Sequence, residues 1–471
     1  MASHAFSPLH SSVQDLLDGY AAGTLQPSTV VDAYLARMAQ LDDQYGAYIC
    51  TDAECARAAA KLADARWRDG TARALEGVPL AVKDLMDVAG LPTRLGSLTT
   101  SSDMVDSSAT VVQKLEAAGA IVLGKTHTEE FAYGSWGINE SMGTPLNPWS
   151  RTQALVPGGS SSGSAVAVAA GLAPWALGTD TGGSVRGPAA WQALVGYKPT
   201  PGRISVHGVA PLCPSLDCVG ILCRTLGDAV LFARTAQGED EADPSTWTTP
   251  WDDVGAQLHA GVQGLRLAVL TDADRTGIDA DVLAAYDHVL QGLQAQGATL
   301  VPLTLPFTLA MLAVPSNAPV MGAESYAVRG ALAEDPQSLV SAPVRKRLLA
   351  GRMTATEYVH RRLTSEAMLQ AVRRAMAGCD ALVMPTMPFA PPAVAEVDTN
   401  VASTVLTRFV NQLGWCGVAV PSGFSADVRP LSVQSVAPAH ADAMAFRVAQ
   451  AITACVPTQS DTVPDLAAVA A

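Results

Sequence analysis

Short apolar runs punctuate this chain, with helical patterns between them, and that alternation limits the architectures open to it. Residues 78–82 form one such run, ending at Lys83, and read as a buried strand that delivers a lysine at its end. Residues 121–123, 265–270, 381–384 and 418–420 repeat the pattern. Helical spacing is expected over 52–68, 109–118, 280–296, 354–377 and 441–452. Two more helical patterns open the chain: one at Asp15, and one running towards Gln40 with Ser28 as its N-cap candidate. A chain that alternates these periods folds as α/β, with helices on both faces of a sheet. No internal repeat is visible. The polar, acidic stretch 238–250 reads as a surface excursion and does not divide the chain, so residues 1–471 are expected to form a single domain.

Composition narrows the function. With 49% hydrophobic and 16% charged residues, the chain can fill a large core. A net charge of −14 disfavours a nucleic-acid footprint, which needs a basic stripe, and equally an anionic membrane surface. The apolar stretch 165–177 is broken by Gly171 and Pro174 and is too short to span a bilayer. The first residues carry neither a basic n-region nor an apolar h-region, so a cytoplasmic location is expected. Of eight cysteines, Cys213, Cys218 and Cys223 are spaced by five and lack the paired spacing of zinc sites. Buried, reduced thiols are expected, with no metal and no cofactor. Only six lysines occur, so the candidates for a lysine base are few.

Two serine-bearing glycine runs stand out: Gly158-Gly159-Ser160-Ser161-Ser162-Gly163 and, with the serines 24 positions apart, Gly182-Gly183-Ser184. The first begins like a phosphate loop, but Ser164-Ala165 replaces the lysine that would reach the phosphates. Its Gly159-x-Ser161-x-Gly163 spacing also matches a nucleophile elbow, yet residues 151–157 make a weak strand ahead of it. Taken alone it reads as a tight turn before a helix over 164–171.

Context changes that reading. Lys83 sits in Gly77-Val78-Pro79-Leu80-Ala81-Val82-Lys83-Asp84, and Ser184 in Asp180-Thr181-Gly182-Gly183-Ser184-Val185-Arg186-Gly187-Pro188-Ala189. With the spacing of Ser160 and Ser184, these segments closely resemble the amidase signature family. Gly124-Lys125-Thr126, Glu130-Phe131-Ala132, Asn147-Pro148-Trp149 and Gly196-Tyr197-Lys198-Pro199-Thr200 add to the resemblance. It runs from about residue 10 to the C-terminus, with core motifs over 77–225 and a variable, substrate-shaping region over about 238–400. It implies a large mixed β-sheet core covered by helices on both faces.

The resemblance also implies roles. Ser184 would be the nucleophile, Ser160 the bridging serine behind a non-proline cis peptide, and Lys83 the base. A serine hydroxyl needs a neighbouring base, and lysine serves only when neutral, so its pKa of about 10.4 must be lowered. Backbone N–H groups of Thr181, Gly182, Gly183 and Ser184 are the candidate oxyanion donors. Ala132 and Tyr133 are expected to bind substrate, and Phe131, Trp136, Cys213, Leu216 and Cys218 to border the acyl pocket. Asp180 and Arg186 are read as braces, and His127, where relatives often carry Asn, as a hydrogen-bonding residue outside the catalytic set. The partner expected is a small-molecule amide, with a homodimer as the assembly if there is one. Stand-alone cleavage of aryl or alkyl amides, or of carbamates, leads. The alternatives are a glutamine-hydrolysing subunit of a tRNA-dependent amidotransferase and a catalytically silent binding protein.

Overall fold

The computed structural model describes Ser7 and residues 11–313 and 317–456. Its strands are β1 (Tyr48–Thr51), β2 (Pro79–Lys83), β3 (Ile121–Thr126), β4 (Trp175–Asp180), β5 (Val195–Lys198), β6 (Cys218–Cys223), β7 (Arg266–Val269), β8 (Thr299–Pro302), β9 (Ala381–Pro385), β10 (Cys416–Phe424) and β11 (Pro430–Ala437). They join in one 11-stranded sheet ordered β1-β3-β2-β4-β6-β5-β10-β11-β9-β7-β8. The sheet is mixed. β2 pairs parallel with β3 and β4, whereas β4–β6, β5–β10 and β10–β11 are antiparallel.

The apolar runs become strands because both faces of the sheet are covered. In β2, Leu80 and Val82 face a core shared with helices Leu226–Ala236, Ala280–Ala295 and Asp442–Thr453. Ala81 faces a second core built with helices Pro27–Tyr45, Ala53–Arg68 and Ser162–Ala169. All three residues are fully buried, and burying a Leu or Val side chain stabilises by about 1.5–3 kcal/mol. Parallel pairing sets Ala81 against Ala176 and Val82 against Leu177. The C-terminal ends of β2 and β4 therefore lie side by side, and the residues that follow them meet.

One local expectation needs correction, and two gain detail. The second helix starts at Pro27, whose fixed φ suits a first helical position, and Ser28 instead gives its backbone N–H to Asp64 Oδ1 at 3.0 Å. The apolar stretch 165–177 is two elements: helix Ser162–Ala169, then β4 from Trp175, separated by Gly171 at φ 69° and by Pro174. Residues 238–250 lie at the surface as expected and are stitched down at intervals. Ser205 Oγ donates to Asp240 Oδ2 at 2.6 Å, the Val206 N–H to Asp243 Oδ2 at 2.8 Å, and Thr246 is buried. Among the described residues no helix is long and apolar enough to cross a membrane.

Candidate active site

Lys83 ends β2 fully buried, and its Nζ donates to Ser160 Oγ (2.8 Å), Ser161 Oγ (2.9 Å) and Thr179 Oγ1 (2.8 Å). Burial pushes its ammonium down to about 7, against the opposing charges of Glu129, Asp180 and Asp217. Two other buried lysines show the contrast. Lys125 pairs with Asp84 at 3.0 Å, and Lys198 donates to the Pro199 carbonyl at 2.7 Å. Lys83 alone of the three is ringed by hydroxyls. A neutral amine has two N–H groups and a lone pair, so one ringing hydroxyl must turn to donate into it. Ser161 has another acceptor for its proton, the Thr179 carbonyl at 3.3 Å, which leaves that task to Ser160 or Thr179.

The peptide joining Gly159 to Ser160 is cis. A Cβ on Gly159 would lie 2.2 Å from Glu129 Oε2 and 2.6 Å from the Gly137 backbone nitrogen, so no other residue fits. The Ser160 carbonyl is held by the Glu129 N–H (3.3 Å) and Thr128 Oγ1 (3.0 Å). Ser184 lies on the turn after β4, and its carbonyl accepts from the Ser161 N–H at 3.3 Å, which ties the two serine loops together. Asp180 organises that turn. Its carboxylate accepts from the Gly183 N–H (2.7 Å), the Val185 N–H (3.2 Å) and the Arg186 guanidinium (3.0 and 3.1 Å). Burial would raise its pKa, but the Arg186 charge wins and holds it well below the usual carboxylate range. Arg186 also donates to Asn411 Oδ1 (2.8 Å) and Gln434 Oε1 (3.1 Å), so Asp180 and Arg186 are braces.

Ser184 opens onto a cavity of about 210 Å³, lined also by Ala132, Tyr133, Thr181, Gly182 and Leu212. Phe131 and Ala132 have φ of 54° and 60°, a left-handed conformation uncommon outside glycine that tends to mark functional sites. Among the described residues no three His, Cys, Asp or Glu side chains gather as metal ligands.

A family model described as Amidase matches residues 29–446. The chain belongs to the amidase signature family. A glutamyl-tRNA(Gln) amidotransferase subunit of Anaeromyxobacter dehalogenans is 37% identical over 463 residues, covering 92% of this chain and 94% of that protein. The 2-amino-5-chloromuconic acid deaminase of Comamonas testosteroni is 33% identical, with coverage of 91% and 92%. The peptide amidase of Stenotrophomonas maltophilia superposes with a TM-score of 0.83 at 28% identity, covering 97% and 98% of the two chains. The large mixed sheet is the amidase signature fold.

Within this amidase signature site, the sequence expectations fare unevenly. Lys83 Nζ meets Ser160 Oγ, the Ser184 carbonyl is tied to the neighbouring Ser161 N–H, and Ser184, Ala132, Tyr133, Thr181 and Gly182 line the cavity. Gly183 is a correction. Its N–H is already given to Asp180, and it lies outside the cavity wall with its Cα against Thr407. Phe131 and Trp136 also turn away. Phe131 packs beneath the Arg329 guanidinium, 4.8 Å away, and Trp136 stacks on Trp191 and Phe389. Cys213, Leu216 and Cys218 are buried off the cavity, where Leu212 stands instead. His127 is buried, with its ring nitrogens on the Met142 (3.0 Å) and Thr128 (3.3 Å) carbonyls. Burial lowers its pKa, which favours the neutral ring. Sequence reasoning missed Thr179, Arg347 and Arg408. Thr179 was within reach, because it faces the lysine from the end of the neighbouring strand.

Proposed function

We propose that this chain is a stand-alone amidohydrolase that cleaves small carboxamides or related C–N bonds, carbamates included, through an acyl-enzyme on Ser184. The observation that carries the reading is the buried Lys83 Nζ, 2.8 Å from Ser160 Oγ and not ion-paired to any described carboxylate. As Ser184 Oγ bonds to the substrate carbonyl carbon, its proton passes to Ser160, whose own proton passes to neutral Lys83. The negative oxygen is received by the N–H groups of Thr181, Gly182 and Ser184, with Gly183 removed from that set. Removing one such donor typically costs about 100- to 1000-fold in rate. The protons return along the same path to the leaving nitrogen as its bond to carbon breaks. Water then attacks the ester, and Ser184 recovers its proton as the acid departs.

A second reading, the glutamine-hydrolysing subunit, draws support from the 37% identity to an amidotransferase subunit. Against it, the stretch around 323–330 reads Ala-Glu-Ser-Tyr-Ala-Val-Arg-Gly and lacks the Tyr-x-x-Asp-Gly-x-Arg-like segment expected there. Incubating the isolated chain with aryl anilides, aliphatic amides, carbamates and glutamine separates the two. Turnover of simple amides without a partner supports the first reading. Ammonia released only from glutamine, and only with a partner chain, supports the second. Failure of a serine-directed reagent to label Ser184 would leave a silent binding protein.

A further inference from the structure

The cavity that opens on Ser184 is lined by two cations and by no carboxylate. Arg408 begins helix Arg408–Gln412; its stem packs over Gly182, and its Nε donates to Thr404 Oγ1 at 3.0 Å. Among the described residues, neither terminal nitrogen of Arg408 has a partner. Arg347, near the end of helix Ala342–Ala350, donates to the Tyr133 and Thr399 carbonyls, both uncharged acceptors. Burial lowers the Arg408 pKa to about 10, with Tyr133 opposing and Arg347 reinforcing the shift. Glu129 lies within the field of Arg347, but behind the wall: a Cβ on cavity-lining Gly134 would sit 2.2 Å from its Oε1. Asp398 also feels Arg347, from the exposed side.

Two half-buried guanidinium groups without a counter-ion are costly unless an anion joins them, and a guanidinium fork suits a carboxylate. The space is small. At about 210 Å³ it falls below the range of about 300–1,000 Å³ usual for drug-sized ligands, which suits a short acyl chain. The acyl part stays on Ser184 through both steps while the amine must leave, so the enclosed groups are those that hold the acyl part.

We propose that Arg347 and Arg408 bind a carboxylate on the acyl portion of the substrate, making this chain selective for half-amides of short dicarboxylic acids that carry no ammonium group. The inference rests on the amidohydrolase reading above. It disfavours glutamine, whose α-ammonium would enter a cavity with two cations and no carboxylate to receive it.

The test compares glutaramate and succinamate with pentanamide and butanamide, their neutral counterparts, and with glutamine. Hydrogen bonds to a charged group support a preference of about 10- to 100-fold in kcat/KM for the half-amides. Glutaramate should exceed glutamine by about 10-fold or more. Arg408→Gln should shrink the ratio of glutaramate to pentanamide by about 10-fold or more, with Arg408→Lys in between. A ratio near one in the wild type, or one that Arg408→Gln leaves unaltered, overturns the proposal. A second measurement covers loss of activity: glutarate should raise the Tm of the wild type and of Ser184→Ala, and should not raise that of Arg408→Gln. No shift in the wild type overturns the clamp. A glutarate shift without turnover of any amide would sink the amidohydrolase reading and leave the anion site standing.

Discussion

Replacing Lys83 with methionine should abolish activity and, at neutral pH, leave the protein at least as stable as before. An unfolded lysine holds its proton up to about pH 10.4, whereas buried Lys83 holds its own only to about 7. Between those values the unfolded chain binds more protons, so stability rises with pH across this window. Each interval of one pH is worth about 1.4 kcal/mol, so keeping the amine neutral costs the fold about 5 kcal/mol at pH 7. Methionine removes that cost and forfeits three hydrogen bonds to hydroxyls, at roughly 1 kcal/mol each. The expected net gain is about 2 kcal/mol at pH 7. Urea unfolding of wild type and Lys83→Met at pH 7, 8.5 and 10 reads the difference, which should shrink and change sign as the wild type gains stability. Other titrating groups cancel in the comparison. A difference that stays flat from pH 7 to 10 would show that Lys83 does not change its proton affinity on folding, and the argument for a lysine base would fail.

Other outcomes follow from the same geometry. If Lys83 acts as the neutral base of the proposed relay, kcat/KM should rise about tenfold from pH 6 to pH 8 and then level, with the midpoint near 7; a flat profile counts against the relay. Ser184→Ala should lose all measurable hydrolysis while unfolding at the same denaturant concentration, and wild-type turnover in it would remove the nucleophile assignment. Gly183→Ala should lose activity by at least about 100-fold, because its Cβ would lie 2.1 Å from Thr407 Oγ1 at a φ of 125°; an active variant would show the turn to be adaptable. Chelators should leave turnover unchanged in a stopped assay, and stimulation by added zinc would contradict the mechanism.

How far the sequence carried depended on whether the signal was local. β2 was legible because a strand covered on both faces must be apolar throughout, and β4 was lost because its residues continue the apolar run of the preceding helix. Lys83, Ser160 and Ser184 stand out through motifs that each span a few residues. Gly183 was misread for a physical reason. Its N–H looks free along the chain, but the carboxylate three residues earlier captures it. Arg347 and Arg408 gave no signal, since an arginine outside any recognised motif reads as solvent-facing. Only the fold carries them to the residues around 132 and 182.

The brace on the nucleophile turn has a consequence for the birth of the enzyme. Asp180 and Ser184 lie in the first half of the chain, yet Arg186 reaches Asn411, 225 residues later, and Thr407 Oγ1 holds the Gly182 carbonyl at 2.7 Å. At about 5–20 residues per second, a ribosome needs roughly 11–45 s to make that intervening stretch. During that interval the emerging polypeptide carries Lys83, Ser160 and Ser184, the residues of the proposed relay, without the scaffold that aims them. On the proposed mechanism hydrolysis therefore waits until residues 407–411 have been made, and a product truncated before them would be inert.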